Sequence, residues 1–197
     1  MYRISVRGLV VTLMLATPFV LLRAMFTSRV LSPDENVSPK TSIYEYSANL
    51  IDGKEISLEQ FKGKKMLFVN VASKCGYTPQ YKGLQKLHEE LGDKVAILGF
   101  PANNFFRQEP GTNEEIFEFC SLKYSVTFTM FAKISVKGKD KHPIYQWLTH
   151  PKLNGWNDQD PTWNFCKYLV DEEGKLVKFY KSGVKPLSEE MRSDILK

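Results

Sequence analysis

Cys75 is the residue whose type and position are best suited to chemistry. It follows residues 66–72, an apolar run with the character of a buried strand, and it precedes Thr78 and Pro79, which are typical of a helix start. A thiol there meets unpaired amide N–H groups and the positive end of the helix dipole, and Lys74 adds a nearby positive charge. Because these groups favour the nucleophilic thiolate, the position predicts a reactive cysteine. Position alone leaves open a buried structural cysteine.

The remaining cysteines and histidines indicate redox chemistry rather than a metal site. The chain has three cysteines, Cys75, Cys120 and Cys166, and no CxxC pair. An odd number in an exported chain is typical of one disulfide plus a free thiol, or of thiol redox chemistry. The three histidines are scattered, with no spacing that suggests zinc. We therefore expect neither a metal nor another cofactor.

The elements around Cys75 predict a strand, a helix and a second strand. Residues 65–71 and 95–100 are continuous apolar runs, and between them Leu84, Leu87, His88 and Leu91 repeat with helical spacing. Such a unit crosses over right-handedly and pairs its strands in parallel. Further patterns predict strands at 43–50, after the turn at 52–53, and at 130–136, 165–170 and 176–181, and helices beginning near residues 57, 112, 142 and 187. Residues 42–197 are thus predicted to form one α/β domain, with a mixed central sheet flanked by helices.

The N-terminal segment differs from the rest of the chain in its composition. Arg3 and Arg7 precede an uncharged apolar run at residues 8–22, and Arg23 follows it. This order predicts a signal peptide or signal anchor at residues 1–27, with a linker at 28–41. We expect export or membrane anchoring through residues 8–22, in the periplasm of a bacterium or the secretory pathway of a eukaryote.

The net charge of +5 is concentrated in that leader. Residues 1–33 hold four arginines and no acid, so the remaining 23 basic and 22 acidic residues nearly balance. A nearly neutral domain lacks the basic footprint of a nucleic-acid-binding protein, and we expect no such partner.

Three short motifs begin or end predicted strands and can therefore meet at one edge of the sheet. They are residues 70–78 (NVASKCGYT), residues 100–111 (FPANNFFRQEPG) and residues 163–165 (WNF). In this order and spacing they resemble the glutathione peroxidase family, and the resemblance runs from about Ser42 to Val184. It implies a thioredoxin-like fold, in agreement with the predicted order of elements.

The resemblance implies catalytic roles for Cys75, Gln108, Trp163 and Asn164. A peroxide needs a thiolate aligned with its O–O bond and donors for the leaving oxygen. Two side-chain amides and an indole N–H are neutral donors suited to that task. Taken singly, each would be expected to be a loop-capping amide or a core aromatic.

The implied reaction is the reduction of hydrogen peroxide and organic or lipid hydroperoxides. Cys75 would become a sulfenic acid, which readily condenses with a second thiol. Cys120 matches the resolving position in the thioredoxin-dependent branch of the family, and its helix would have to unwind locally to form the disulfide. A thioredoxin-like protein, or less favourably glutathione, would then reduce the disulfide.

Two further expectations concern Cys166 and assembly. Strand alternation favours Cys166 as a buried structural thiol. Residues 145–162 are short where oligomeric relatives carry an extra segment, which favours a monomer with an open site.

Two other functions use the same residues. One is a peroxide-sensing thiol relay, which would pass the oxidation of Cys75 to a client protein. The other is a membrane-tethered binding module without activity, which the complete set of site residues disfavours.

Overall fold

The computed structural model describes residues 30–33 and 37–197. The predicted leader (1–27) and parts of the predicted linker lie outside these residues. The strands of the described chain are β1 (Val30–Leu31), β2 (Ser47–Asn49), β3 (Glu55–Ser57), β4 (Lys65–Val71), β5 (Val95–Pro101), β6 (Thr129–Met130), β7 (Lys167–Val170) and β8 (Leu176–Tyr180). They form a six-stranded sheet in the order β1–β8–β7–β4–β5–β6 and a separate two-stranded sheet, β2–β3.

The centre of the large sheet is the predicted parallel pair. All residues of β4 and β5 are buried, as their continuous apolar sequences predict, and the two strands pair in parallel with Val71 opposite Pro101. On the other side, β4 pairs with β7 in antiparallel orientation, and β7 and β8 form the predicted hairpin. The sheet is therefore mixed, as expected.

Five α-helices flank the large sheet: α1 (Gln80–Leu91), α2 (Asn113–Tyr124), α3 (Pro143–Thr149), α4 (Pro151–Asn154) and α5 (Glu189–Leu196). One buried apolar cluster includes Tyr145 and Trp147 of α3. A second includes Leu84 of α1, Cys120 of α2 and Met191 of α5. Alternate residues of β4 belong to different clusters, with Phe68 in the first and Leu67 in the second. Helices on both faces confirm the expected α/β architecture.

Three local predictions were wrong. Residues 43–45 form a 3-10 helix capped by Ser42, so the strand predicted at 43–50 is reduced to β2. Of the strand predicted at 130–136, only Met130 belongs to a strand, the two-residue β6, because the chain beyond it bonds to several partners. The N–H of Ala132 donates to Asn49 O, whereas that of Ile134 donates to Pro101 O. Thr78 does not cap α1, for which Pro79 is the N-terminal boundary without a side-chain cap.

The described part of the predicted linker contains one element. Val30–Leu31 pairs in antiparallel orientation with Phe179 and Tyr180 of β8 and forms an edge of the sheet. Within the described ranges, no helix has both the length and the apolar character needed to cross a bilayer.

Candidate active site

The turn that carries Cys75, residues 73–77, is held by Thr78. The Thr78 hydroxyl accepts a hydrogen bond from the N–H of Cys75 at 3.0 Å and donates one to the carbonyl of Ala72 at 2.8 Å. Thr78 is buried, so these bonds are protected from water. The residue predicted to start the helix is used instead to fix the reactive turn, which we call the Cys75 turn.

The Cys75 sulfur is half-buried and accepts a hydrogen bond. The N–H of Tyr77 donates to Sγ over 3.4 Å, and α1 begins three residues further on at Gln80. An amide N–H directed at sulfur, close to a helix N-terminus, stabilises negative charge on that sulfur. The position of Cys75 at the start of α1 agrees with the sequence, and its role as a nucleophile stays a prediction.

Gln108 is joined to the same turn through the backbone. The N–H of Lys74 donates to the carbonyl of Gln108 at 3.0 Å, and the N–H of Gln108 donates to that of Phe105 at 3.1 Å. Phe106 and Arg107 both have positive φ, 49° and 53°, which is uncommon for side chains of their size. This reversal of the chain brings Gln108 back beside the Cys75 turn.

Asn164 reaches Gln108 from the third motif. The buried Asn164 side chain donates from Nδ2 to Oε1 of Gln108 at 2.8 Å. Its neighbours are fixed to Asn70 of β4: the Asn70 side chain donates to Trp163 O at 2.9 Å, and Phe165 N–H donates to Asn70 O at 2.6 Å. All three motifs are thus joined at the end of β4 by specific hydrogen bonds.

The Trp163 ring lies against two phenylalanines. Its centroid is 5.7 Å from that of Phe105 and 5.4 Å from that of Phe106. Phe105 is buried, whereas Phe106 is 83% exposed. The site therefore has an apolar rim beside its polar groups.

Cys120, the candidate resolving residue, is 1% exposed on α2. Burial is the main cause that raises the pKa of its thiol to about 11; the nearby Tyr81 hydroxyl opposes this shift, and the Glu109 charge contributes to it. The first turn of α2 is closed by a capping box, in which Thr112 and Glu115 each accept the other's backbone N–H. All three cysteines are free, so the predicted Cys75–Cys120 disulfide is not formed in this state.

Cys166 lies in the first core cluster, away from solvent. Its Sγ is 3.4 Å from the Ser182 hydroxyl and 3.6 Å from that of Thr162. These contacts agree with the predicted structural thiol, and its lack of a redox role stays a prediction.

Glu109 is a site-adjacent residue that sequence reasoning missed. It follows Gln108 directly, yet its side chain is fully buried, and burial raises the pKa of its carboxyl to about 7. A glutamate in a loop between a strand and a helix is ordinarily exposed, and no pattern in the sequence signals otherwise.

Comparison with known proteins agrees with this geometry. The family model described as "Glutathione peroxidase" matches residues 43–149. The chain is 47% identical over 164 residues to the hydroperoxy fatty acid reductase gpx1 of Synechocystis, which covers 79% of this chain and 95% of that protein. It is 46% identical over 149 residues to glutathione peroxidase-like peroxiredoxin 2 of Saccharomyces cerevisiae, covering 75% and 92%.

A solved structure of a related protein has the same fold as this chain. GPX1 of T. cruzi superposes with a TM-score of 0.61 at 31% identity, covering 79% of this chain and 95% of that one. The chain therefore belongs to the glutathione peroxidase family, has its thioredoxin-like fold, and is a thiol-dependent peroxidase.

Proposed function

We propose that Cys75 is the nucleophile of this peroxidase and that Gln108, Trp163 and Asn164 serve as donors to the departing oxygen. The Cys75 sulfur attacks one oxygen of ROOH, the O–O bond breaks, and the leaving oxygen takes up a proton to give ROH. The products are a Cys75 sulfenic acid and an alcohol, or water from hydrogen peroxide. The observation that carries this proposal is that Asn164 bonds to the side chain of Gln108, whose backbone is bonded to the turn bearing Cys75.

The second step is condensation with Cys120. The Cys120 sulfur attacks the sulfur of the sulfenic acid, and the released hydroxyl leaves as water with the thiol proton. Cys75 packs against the apolar cluster that contains Cys120, which supports this pairing. Because Cys120 is held within a 12-residue helix, part of α2 unwinds in each turnover.

A dithiol protein of the thioredoxin type then reduces the disulfide. Exchange proceeds through a mixed disulfide and restores both thiols, while the reductant is oxidised. The name of the yeast relative, a peroxiredoxin, supports a protein reductant over glutathione.

The substrates extend from hydrogen peroxide to organic and lipid hydroperoxides. The Synechocystis relative is named for hydroperoxy fatty acids, and the exposed Phe106 ring beside Trp163 offers apolar surface to an acyl chain. Contact with apolar surface favours long substrates over hydrogen peroxide.

We further propose that the protein acts as a monomer that is exported or attached to a membrane by residues 8–22. The apolar run flanked by arginines supports this location. Gel filtration of the purified protein and mass spectrometry of its mature N-terminus test the two parts separately. A stable dimer contradicts the first, and an uncleaved chain recovered in the cytosolic fraction contradicts the second.

The decisive experiment follows peroxide consumption with thioredoxin, thioredoxin reductase and NADPH, in parallel with a glutathione-coupled assay. We expect sustained turnover with thioredoxin, its complete loss in Cys75→Ser, and its retention in Cys166→Ser. After one equivalent of peroxide, mass spectrometry should show a Cys75–Cys120 disulfide. Activity of Cys75→Ser would refute the nucleophile, and a single burst ending in a mixed disulfide with a client would favour the relay.

A further inference from the structure

We propose that Glu109 is a positioning residue of the resolving step, whose ionisation releases the part of α2 that holds Cys120. This inference rests on the proposed resolving role of Cys120. It concerns a side chain with no part in peroxide binding, and it is carried by the burial of the carboxyl group, its lack of partners and its position beside α2.

The Glu109 carboxyl group is buried without a partner. The side chain is 0% exposed, and among the described residues neither Oε1 nor Oε2 has a hydrogen bond of normal geometry. The hydroxyl and the backbone N–H of Ser73 both approach the carboxyl group and lower its pKa, but neither forms a hydrogen bond of normal geometry with it. An ionised carboxylate left in this state is costly, so the closed structure favours the neutral acid.

The neighbouring cations do not compensate for this burial. The Lys133 ammonium donates instead to the carbonyl oxygens of Glu109 and Gly111, at 3.4 and 2.5 Å, and the Lys74 side chain is exposed. Both favour the carboxylate, but within the described chain neither forms a salt bridge with it. Burial remains the largest influence and raises the pKa of Glu109 to about 7.

Glu109 shares a cavity with the Cys75 turn and with α2. This cavity, of about 440 Å³, is lined by Ser73 and Lys74 of the turn, by Glu109, and by Glu115, Ile116 and Phe119 of α2. The Glu115 carboxylate accepts the N–H of Thr112 in the capping box. The charge of ionised Glu109 also raises the pKa values of two buried groups, the Cys120 thiol and the Tyr81 hydroxyl. Ionised Glu109 therefore opposes the Cys120 thiolate as long as α2 stays packed.

Opening of α2 lets water reach this carboxyl group, where it ionises with its ordinary pKa near 4.5. Between pH 4.5 and pH 7 the open form thus binds fewer protons than the closed form. By linkage, each pH unit in this interval makes opening easier by up to about tenfold, and above pH 7 the effect is constant. Attack on the sulfenic acid also requires the Cys120 thiolate. The exposed thiol has an ordinary pKa of ~8.5, so its thiolate fraction rises about tenfold per pH unit throughout this range.

The test is the pH dependence of disulfide formation in a single turnover. The protein is mixed with excess hydrogen peroxide, quenched with acid, and analysed for the Cys75–Cys120 disulfide between pH 5 and pH 8. For the unmodified protein, a plot of the logarithm of the rate of disulfide formation against pH should have a slope of ~2 up to about pH 7 and of ~1 above it. In Glu109→Gln the slope should stay near ~1 throughout, because the carboxyl proton is no longer involved.

Two further variants make the result specific. Glu118→Gln removes the same charge from an exposed position on α2 and should keep the steep profile. Glu109→Asp retains an acid and should keep it too, which separates ionisation from packing. A steep profile in Glu109→Gln, or a shallow one in Glu109→Asp, overturns the inference while leaving the disulfide mechanism intact. Absence of the disulfide in the unmodified protein overturns the resolving role of Cys120 and this inference with it.

Discussion

The side-chain amide of Asn164 donates a 2.8 Å hydrogen bond to Oε1 of Gln108, although the two residues are 56 positions apart in the chain. Since this bond occupies the amide oxygen of Gln108, it fixes the orientation of that amide and leaves the NH₂ group available as a donor. The two amides are therefore coupled, and in the proposed reaction Asn164 would orient Gln108 as well as contribute a donor of its own.

Replacement of Asn164 by alanine should slow Cys75 oxidation about 10²-fold, because one donor is lost and Gln108 is no longer oriented. Stopped-flow tryptophan fluorescence with hydrogen peroxide measures the second-order rate. The double variant Asn164→Ala/Gln108→Ala should be little slower than Asn164→Ala, since the two residues act together. Losses that multiply independently would contradict this coupling.

Cys120→Ser should separate oxidation from recycling. We expect the first oxidation of Cys75 to stay within about 2-fold of its normal rate, whereas thioredoxin-driven turnover falls by at least about 10²-fold, since the sulfenic acid lacks its partner thiol. The NADPH-coupled assay and a dimedone label for the sulfenic acid measure the two effects. Normal cycling in this variant would transfer the resolving role to Cys166 or to external glutathione.

Cys166→Ala should affect stability rather than activity. The buried Sγ loses its packing and its contact with the Ser182 hydroxyl, so the free energy of unfolding should fall by about 1 kcal/mol. Urea denaturation measures this loss, and the peroxide assay should remain unchanged. A large fall in turnover without a change in unfolding would show that this thiol takes part in the reaction.

Lys167 should make stability depend on alkaline pH. Its buried ammonium donates to Gln80 Oε1 at 2.5 Å and to Val184 O at 2.6 Å, yet burial lowers its pKa from 10.5 to about 7. Between these values the unfolded chain binds the proton more strongly than the folded protein, so this group adds stability as the pH rises. Relative to Lys167→Met, the unmodified protein should gain ~1 kcal/mol per pH unit between about pH 7 and pH 10. A constant difference across that range in urea denaturation would contradict this titration.

Phe106→Ser should narrow the substrate range. The loss of the exposed ring beside Trp163 removes apolar contact surface, so kcat/KM for a fatty acid hydroperoxide should fall about 3- to 10-fold while that for hydrogen peroxide changes little. Leu196→Ser is the matched control, because it removes another exposed apolar side chain (60% exposed) on α5. Equal losses for both peroxides would indicate a general effect on the site.

Periodicity and motifs were sufficient for the central elements. The fully apolar runs of β4 and β5 predict a buried parallel pair, and the Thr112 and Glu115 spacing predicts the capping box of α2. Cys75, Gln108 and Asn164 were predicted to meet because each motif begins or ends a strand, and hydrogen bonds join their segments.

One of the errors arose because a side chain had two suitable partners. Thr78 has the sequence context of a helix cap, but its hydroxyl bonds to Cys75 and Ala72, a competition that spacing does not reveal. The burial of Glu109 depends on how α2 packs over the preceding loop. The types and spacing of single residues do not predict how closely a helix and a loop pack.

The two ends of α2 differ in a way that determines where the helix can come apart. Its start is secured by reciprocal side-chain bonds. Within the described chain its end is closed by backbone bonds alone, from the N–H groups of Ser125 and Val126 to Ser121 O and Cys120 O, and Ser125 is a non-glycine residue at a φ of 50°. Return of Ser125 to ordinary backbone geometry relieves strain and offsets part of the loss of these bonds, so we expect α2 to open from this end. In the proposed cycle, opening from this end would leave the hydrogen-bonded loop around Gln108 in place for the next oxidant molecule.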